Sequence, residues 1–142
     1  MGKAEQDFFS GDGFVVMGNT RRMRDAFNGL KKLGKKVYFV DVGFSKDDAA
    51  GKYSSLADLP DKVDAAICDG PRTKLIGYID ELAGAGINKV WINFLSDKPD
   101  VVAHAVSKNM EVLHGNCAVV WLPTVGPHHS IHRFLWKVLG KY

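Results

Sequence analysis

The chain is predicted to fold as an α/β domain, a parallel sheet covered by helices on both faces. Three observations carry that prediction. Apolar runs of strand length recur five times. Segments of helical spacing separate them, giving a βαβαβαβαβ order, which implies parallel strands buried on both faces. The first run also breaks at Gly18, turns through Asn19 and Thr20, and enters a helical pattern at Arg21. That is how a parallel strand feeds a phosphate-binding turn at a helix N-terminus.

Residues 1–12 are polar and punctuated by glycine. Ala4 to Ser10 reads as one short helix, or Phe8 and Phe9 lie directly against the domain. The first strand is Phe14–Met17. Met23, Phe27 and Leu30 follow at i, i+4, i+7, and Gly34 is placed to end that helix. Val37–Val40 is the second strand. Ser54 to Pro60 reads as a short capped helix before the third strand, Ala65–Cys68. Leu75, Ile79 and Leu82 repeat the helical spacing, with Gly84 and Gly86 at the end. Val90–Phe94 is the fourth strand. Asp97 and Pro99 mark a helix start ahead of Val101, Val102, Ala105 and Val106, with Asn109 as a left-handed stop. Met110–Leu113 is the fifth strand. Cys117–Leu122 is apolar enough for a short sixth strand or a buried turn. Beyond Pro123 and Pro127, residues Ile131, Phe134, Leu135 and Val138 fit a final amphipathic helix.

The 142 residues suit one domain, with a core at 13–122 and a C-terminal helical extension at 123–142. A composition of 46% apolar and 25% charged residues is that of an ordinary globular protein. The net charge of +3 lacks the dense Lys and Arg runs with interleaved aromatics that nucleic acid requires, but suits a small anionic ligand. Cys68 and Cys117 make no disulfide framework and no CxxC. No signal-peptide core or membrane-length apolar run occurs, so a cytoplasmic, reduced location is expected, with no membrane partner.

Right-handed crossovers about a central first strand give the order 3-2-1-4-5. Ligands of such sheets sit beyond the carboxyl ends of the strands, at the switch point between strands 1 and 4. That rule selects Gly18 to Arg22, Asp41 to Phe44, Cys68 to Lys74, Asn93 to Ser96 and His114 to Cys117. Arg21, Arg22 and Arg24 stand at a helix N-terminus, which already carries roughly half a positive charge, so cations there cost about 0.3–1 kcal/mol. A bound anion would relieve that cost. Arg72 and Lys74 repeat the pattern at a second helix start on the same edge.

The turn lacks the GxGxxG of dinucleotide sites, since Gly13 and Gly18 lie five apart. Asp41 nevertheless ends the second strand where an acidic residue would hold a ribose hydroxyl, and the alternative is an Asp capping the next turn. The ribose role makes NAD the alternative ligand. Elsewhere the residues favour packing over chemistry. His114 lies three residues from Cys117, but small cysteines at strand ends are ordinarily buried filler. His128 and His132 share a helix face beside His129 without a third metal ligand or HExxH. No GxSxG, no GxxxxGK[ST] and no acid–base carboxylate pair is present, so no catalytic residue is expected.

Phe14-Val15-Val16-Met17-Gly18-Asn19-Thr20, Lys52 to Pro60 leading into Val63-Asp64, Val90 to Asn93, Met110-Glu111-Val112 and Asn116-Cys117 together resemble a known family. The chain is similar, over about Gly13 to Leu122, to the small stand-alone CoA-binding domain proteins. Their Rossmann-like fold is that of the nucleotide-binding domain of the succinyl-CoA synthetase alpha subunit. The resemblance implies coenzyme A or an acyl-CoA in the switch-point crevice. Gly18, Asn19, Thr20, Arg21 and Arg22 would meet phosphates. Asp41, Val42, Gly43 and Phe44 would line the adenosine side, with Arg72 and Asn93 along the rest, and Cys117 matches the family's cysteine. The chain departs from the family's usual small residue and Ser at Asn19 to Arg22, and from its usual Asn-Pro at Asp41-Val42. The expected function is non-catalytic CoA binding, as a sensor or carrier. Alternatives are an NAD-binding redox domain and the CoA-binding half of an acyl-CoA ligase with a synthetase-like partner. A homodimer through the last helix is a further option.

Overall fold

The structure, a computed structural model, describes residues 3–41, 51–93 and 96–115. Six strands form one sheet: β1 (Gly13–Met17), β2 (Lys36–Val40), β3 (Lys52–Tyr53), β4 (Ala65–Cys68), β5 (Lys89–Ile92) and β6 (Glu111–Leu113). Their order is 3-2-1-4-5-6, and every pairing is parallel. Four helices accompany them: α1 (Lys3–Phe9), α2 (Arg21–Lys32), α3 (Arg72–Gly84) and α4 (Pro99–Ser107).

Successive side chains of a strand point to opposite faces, and the core divides accordingly. Phe14, Val16, Val37, Phe39, Ala65, Ile67 and Trp91 pack with Phe8 of α1 and with Met23, Ala26, Phe27 and Leu30 of α2. Val15, Met17, Val40, Ala66, Cys68, Val90 and Ile92 pack with Leu75, Tyr78, Ile79 and Leu82 of α3 and with Val101 and Ala105 of α4. The sheet is therefore covered on both sides, as its near-continuous apolar strands require. Phe8 and Phe9 both stand within ring-contact distance of Trp91, at 5.4 and 5.5 Å between centroids. The short N-terminal helix and the packing of its phenylalanines thus occur together.

The predicted order holds, but the segments that fill it shift by one. Lys52–Tyr53 takes the third place, on the outer side of β2, and Ala65–Cys68 becomes β4, paired directly with β1. Two residues carry no periodicity, so nothing in the sequence marks β3 as a strand. Its pairing is read only from Phe39 opposite Lys52 and Val40 opposite Tyr53. The expected capped helix after it shrinks to one 3₁₀ turn, Leu56–Asp58, where the Ser55 hydroxyl accepts from the Ala57 N–H at 3.1 Å. Cys117–Leu122 and the segment from Pro123 onward lie outside the described residues.

The helix ends follow the sequence signals closely. Leu33 caps α2 and Gly34 follows at φ +77°. Asn109 takes φ +61° beyond α4, a left-handed conformation that Asn tolerates better than most residues. At the start of α4, Pro99 occupies the first turn but Lys98, not Asp97, is the cap residue. Asp97 instead accepts the Gly115 N–H at 2.6 Å, tying the loop after β5 to the end of β6.

Candidate functional site

The chain reverses its direction across the sheet between β1 and β4, and there two turns press together. Gly18, at φ +119°, follows the last residue of β1. A Cβ built on it would lie 2.0 Å from the Asp69 carbonyl oxygen, so only glycine lets the two backbones approach. Asp69 follows β4 directly, and its N–H donates to the Met17 carbonyl at 3.1 Å.

The Asp69 carboxylate, fully buried, is the hub of this edge. Its Oδ2 accepts from the Thr20 hydroxyl at 2.7 Å and from Arg22 Nε at 3.0 Å. Its Oδ1 accepts from Arg22 Nη2 at 3.2 Å and from the Ser96 hydroxyl. The Thr20 oxygen also accepts from the Met23 N–H at 3.2 Å, capping α2. The Ser96 oxygen accepts from the Gly70 N–H at 3.1 Å. One carboxylate thus joins the loops after β1, β4 and β5, and each of its oxygens takes two hydrogen bonds. A buried charge needs such pairing, because desolvation without it costs several kcal/mol.

This network answers part of the question raised by the arginines. Arg22 has its counter-charge inside the chain, bound in a two-point fork that fixes its direction. Arg24 donates to Asn19 Oδ1 at 3.2 Å, and its side chain is exposed. Arg21 is exposed and makes no ion pair among the described residues. The helix start therefore keeps two solvent-facing cations beside a side-chain-capped N-terminus. At the second basic turn, Arg72 pairs with Asp100 of α4, whose carboxyl is held below its ordinary range by that guanidinium's hydrogen bond.

Asp41, at the end of β2, is 2% exposed. Its Oδ1 accepts from the Tyr78 hydroxyl at 3.0 Å and lies 3.9 Å from Lys74 Nζ. Burial, then this hydrogen bond, pushes the Tyr78 phenol well above its ordinary 10.0. A raised phenol pKa stabilises the fold while the phenol is protonated. That contribution is present in full below pH 10 and is lost as pH rises toward the folded value. Tyr78 is accordingly expected to ionise only as alkali unfolds the chain, and Tyr78→Phe to remove a late step from a titration at 295 nm. A Tyr78 step near pH 10 in the folded chain would contradict the Asp41 contact.

Asn93 is fully buried at the turn after β5, donating its N–H to the Cys68 carbonyl at 2.9 Å and accepting from the Ser96 N–H at 3.0 Å. Cys68 is equally buried, and burial pushes its thiol strongly up, so it does not supply a thiolate. Gly18, Asn19, Thr20, Arg21, Arg22, Asp41, Arg72 and Asn93 thus all stand at the carboxyl ends of the strands. Val42, Gly43 and Cys117 lie outside the described residues, as do His128, His129 and His132. Among the described residues there is no cluster of metal-ligating side chains, and no helix is long and apolar enough to cross a membrane.

A family profile described as a CoA binding domain matches residues 14–123, which include the whole of this edge. The chain belongs to the CoA-binding domain family. The match spans both basic turns and the Asp69 hub. The NAD alternative gains no support from it, and Asp41 is already engaged by Tyr78 and Lys74. No curated protein matches the chain. Among solved structures, this CoA-binding domain is similar to a hypothetical protein from Pyrococcus horikoshii OT3 (15% identity, TM-score 0.71, covering 82% of this chain and 86% of that one). It is similar to cell-free ID.343 from Thermus thermophilus (22% identity, TM-score 0.69, 84% and 96% covered). It is also similar to the dinucleotide forming acetyl-coenzyme A synthetase 1 of Ca. Korarchaeum cryptofilum (24% identity, TM-score 0.61). There 78% of this chain covers 27% of the synthetase. At these identities the likeness establishes the fold.

The sequence singles out the arginines but not their partner. Asp69 and Ser96 fall in the segments selected for the ligand edge, and Tyr78 lies four residues beyond one of them, yet none of the three stands out as a site residue. The one available signal was an Asp placed directly after a strand of four apolar residues, where an unpaired carboxylate would be costly.

Proposed function

We propose that the chain binds coenzyme A or an acyl-CoA at the carboxyl edge of the sheet, across the β1–β4 switch point, and acts as a sensor or carrier with no catalysis of its own. The CoA-binding domain match over residues 14–123 carries this reading. The physics of the edge supports it. A pyrophosphate suits the N-terminus of α2, where free N–H groups and the helix dipole favour an anion and Arg21 and Arg24 add charge. Arg22 contributes by bracing the turn through Asp69 rather than by meeting the ligand alone.

The test is a thermal melt with CoA, acetyl-CoA, ADP and NAD at millimolar concentration. At a hundredfold excess over Kd, binding adds about 2.7 kcal/mol, which for a domain of this size raises Tm by about 5–10 °C. CoA or acetyl-CoA is expected to give that shift. Arg21→Ala should weaken CoA binding about fivefold in calorimetry, the effect of one exposed charge pair, and leave the unliganded Tm unchanged. A melt unmoved by CoA and acetyl-CoA would overturn the reading.

A second reading, the CoA-binding portion of an acyl-CoA ligase, is favoured by the likeness to about a quarter of an acetyl-coenzyme A synthetase. It requires a synthetase-like partner, and a pull-down that recovers none would remove it.

A further inference from the structure

Asp41 occupies the place where a Rossmann-type site keeps its ribose acid, at the end of the strand next to β1. In a dinucleotide site such an acid accepts from a ribose hydroxyl and repels a phosphate on that ribose. Here the carboxylate is closed off. It is 2% exposed and accepts from Tyr78, and Lys74 Nζ stands 3.9 Å away. Lys74 and Tyr78 lie four residues apart in α3, so one helix face brings both groups to Asp41. The lysine side chain remains 54% exposed. Its ammonium has three donors, and at 3.9 Å the Asp41 oxygen is an ion-pair partner that leaves all three for hydrogen bonding.

We propose that Lys74, held in place by Asp41, is the residue that makes this edge select a nucleotide carrying a phosphate monoester on its ribose. Asp41 keeps the ammonium within ion-pair distance of the end of β2, Tyr78 donates to the same carboxylate, and the positive charge of the exposed Lys74 offsets the acid that would otherwise repel phosphate. The group that rejects a phosphorylated ribose in a dinucleotide site becomes the anchor of the cation that accepts one. This inference rests on the proposed CoA site, because it assigns the ribose end of that ligand.

The test compares CoA with dephospho-CoA, which lacks only the ribose phosphate, by calorimetry on the full chain. The wild-type chain should bind CoA about tenfold more tightly, as one partly exposed charge-assisted contact allows, and raised salt should narrow the ratio. Lys74→Met should bring the two affinities together by weakening CoA alone, and Lys74→Arg should keep the preference. Circular dichroism of each variant checks the fold, and the wild-type ratio with its salt dependence needs no variant. Equal wild-type affinities for the two ligands would overturn this inference and leave the CoA site standing. So would a preference that survives Lys74→Met. If neither ligand binds, the CoA site fails and the inference fails with it.

Discussion

Gly18→Ala is expected to lower the stability of the chain by about 4 kcal/mol, combining left-handed backbone strain with overpacking, each about 1–3 kcal/mol. The added methyl would stand 2.0 Å from the Asp69 carbonyl oxygen, which is backbone and cannot swing aside like a side-chain tip. At φ +119° the residue is strained even without that clash. Relief requires the turn after β1 to part from the turn after β4. The same movement would separate Thr20 from Asp69, so CoA binding should fall with stability. Urea unfolding checks the first effect, as a lower midpoint at unchanged slope. A stability loss below 1 kcal/mol would show that the turns are not in contact as described.

Asp69→Asn is expected to cost about 2–3 kcal/mol, the effect of leaving charged and hydroxyl donors partly unmatched at a buried acceptor. Arg22 is 40% exposed and regains some water, which holds the cost below that of a fully buried pair. The amide turns one acceptor oxygen into a donor, while all four hydrogen bonds at this carboxylate are received ones. A double-mutant cycle with Arg22→Met isolates the pair and should give a coupling of about 1–2 kcal/mol. Additive effects would place the role of Asp69 in its hydroxyl partners alone. Calorimetry on Asp69→Asn should show weakened CoA binding with an unchanged preference for CoA over dephospho-CoA, since Lys74 answers to a different carboxylate.

Much of this architecture was legible because it rests on local patterns. Apolar runs such as Phe14–Met17 and Ala65–Cys68 are buried along their whole length, and Met23, Phe27 and Leu30 mark a single face. The loop residues at the strand ends followed from topology alone. What stayed hidden depends on contacts between distant residues. β3 is too short for periodicity, so the sequence did not show that Ala65–Cys68 lies beside β1. The Arg22 partner lies 47 residues away, and an arginine reserved for a carboxylate reads in sequence like one awaiting a phosphate. Asp41 shows the same ambiguity, since only the fold brings Tyr78 to it across 37 residues.

The brevity of β3 has a consequence for how copies of this chain meet. An edge strand normally offers a row of free backbone donors and acceptors on which another chain can extend the sheet. With only Lys52 and Tyr53 in register among the described residues, and a charged residue as one of the two, that row is nearly absent there. Addition of a strand from a neighbouring molecule has little to grip there. Association that enlarges the sheet is disfavoured on this side, and a partner docking here must bind through side chains.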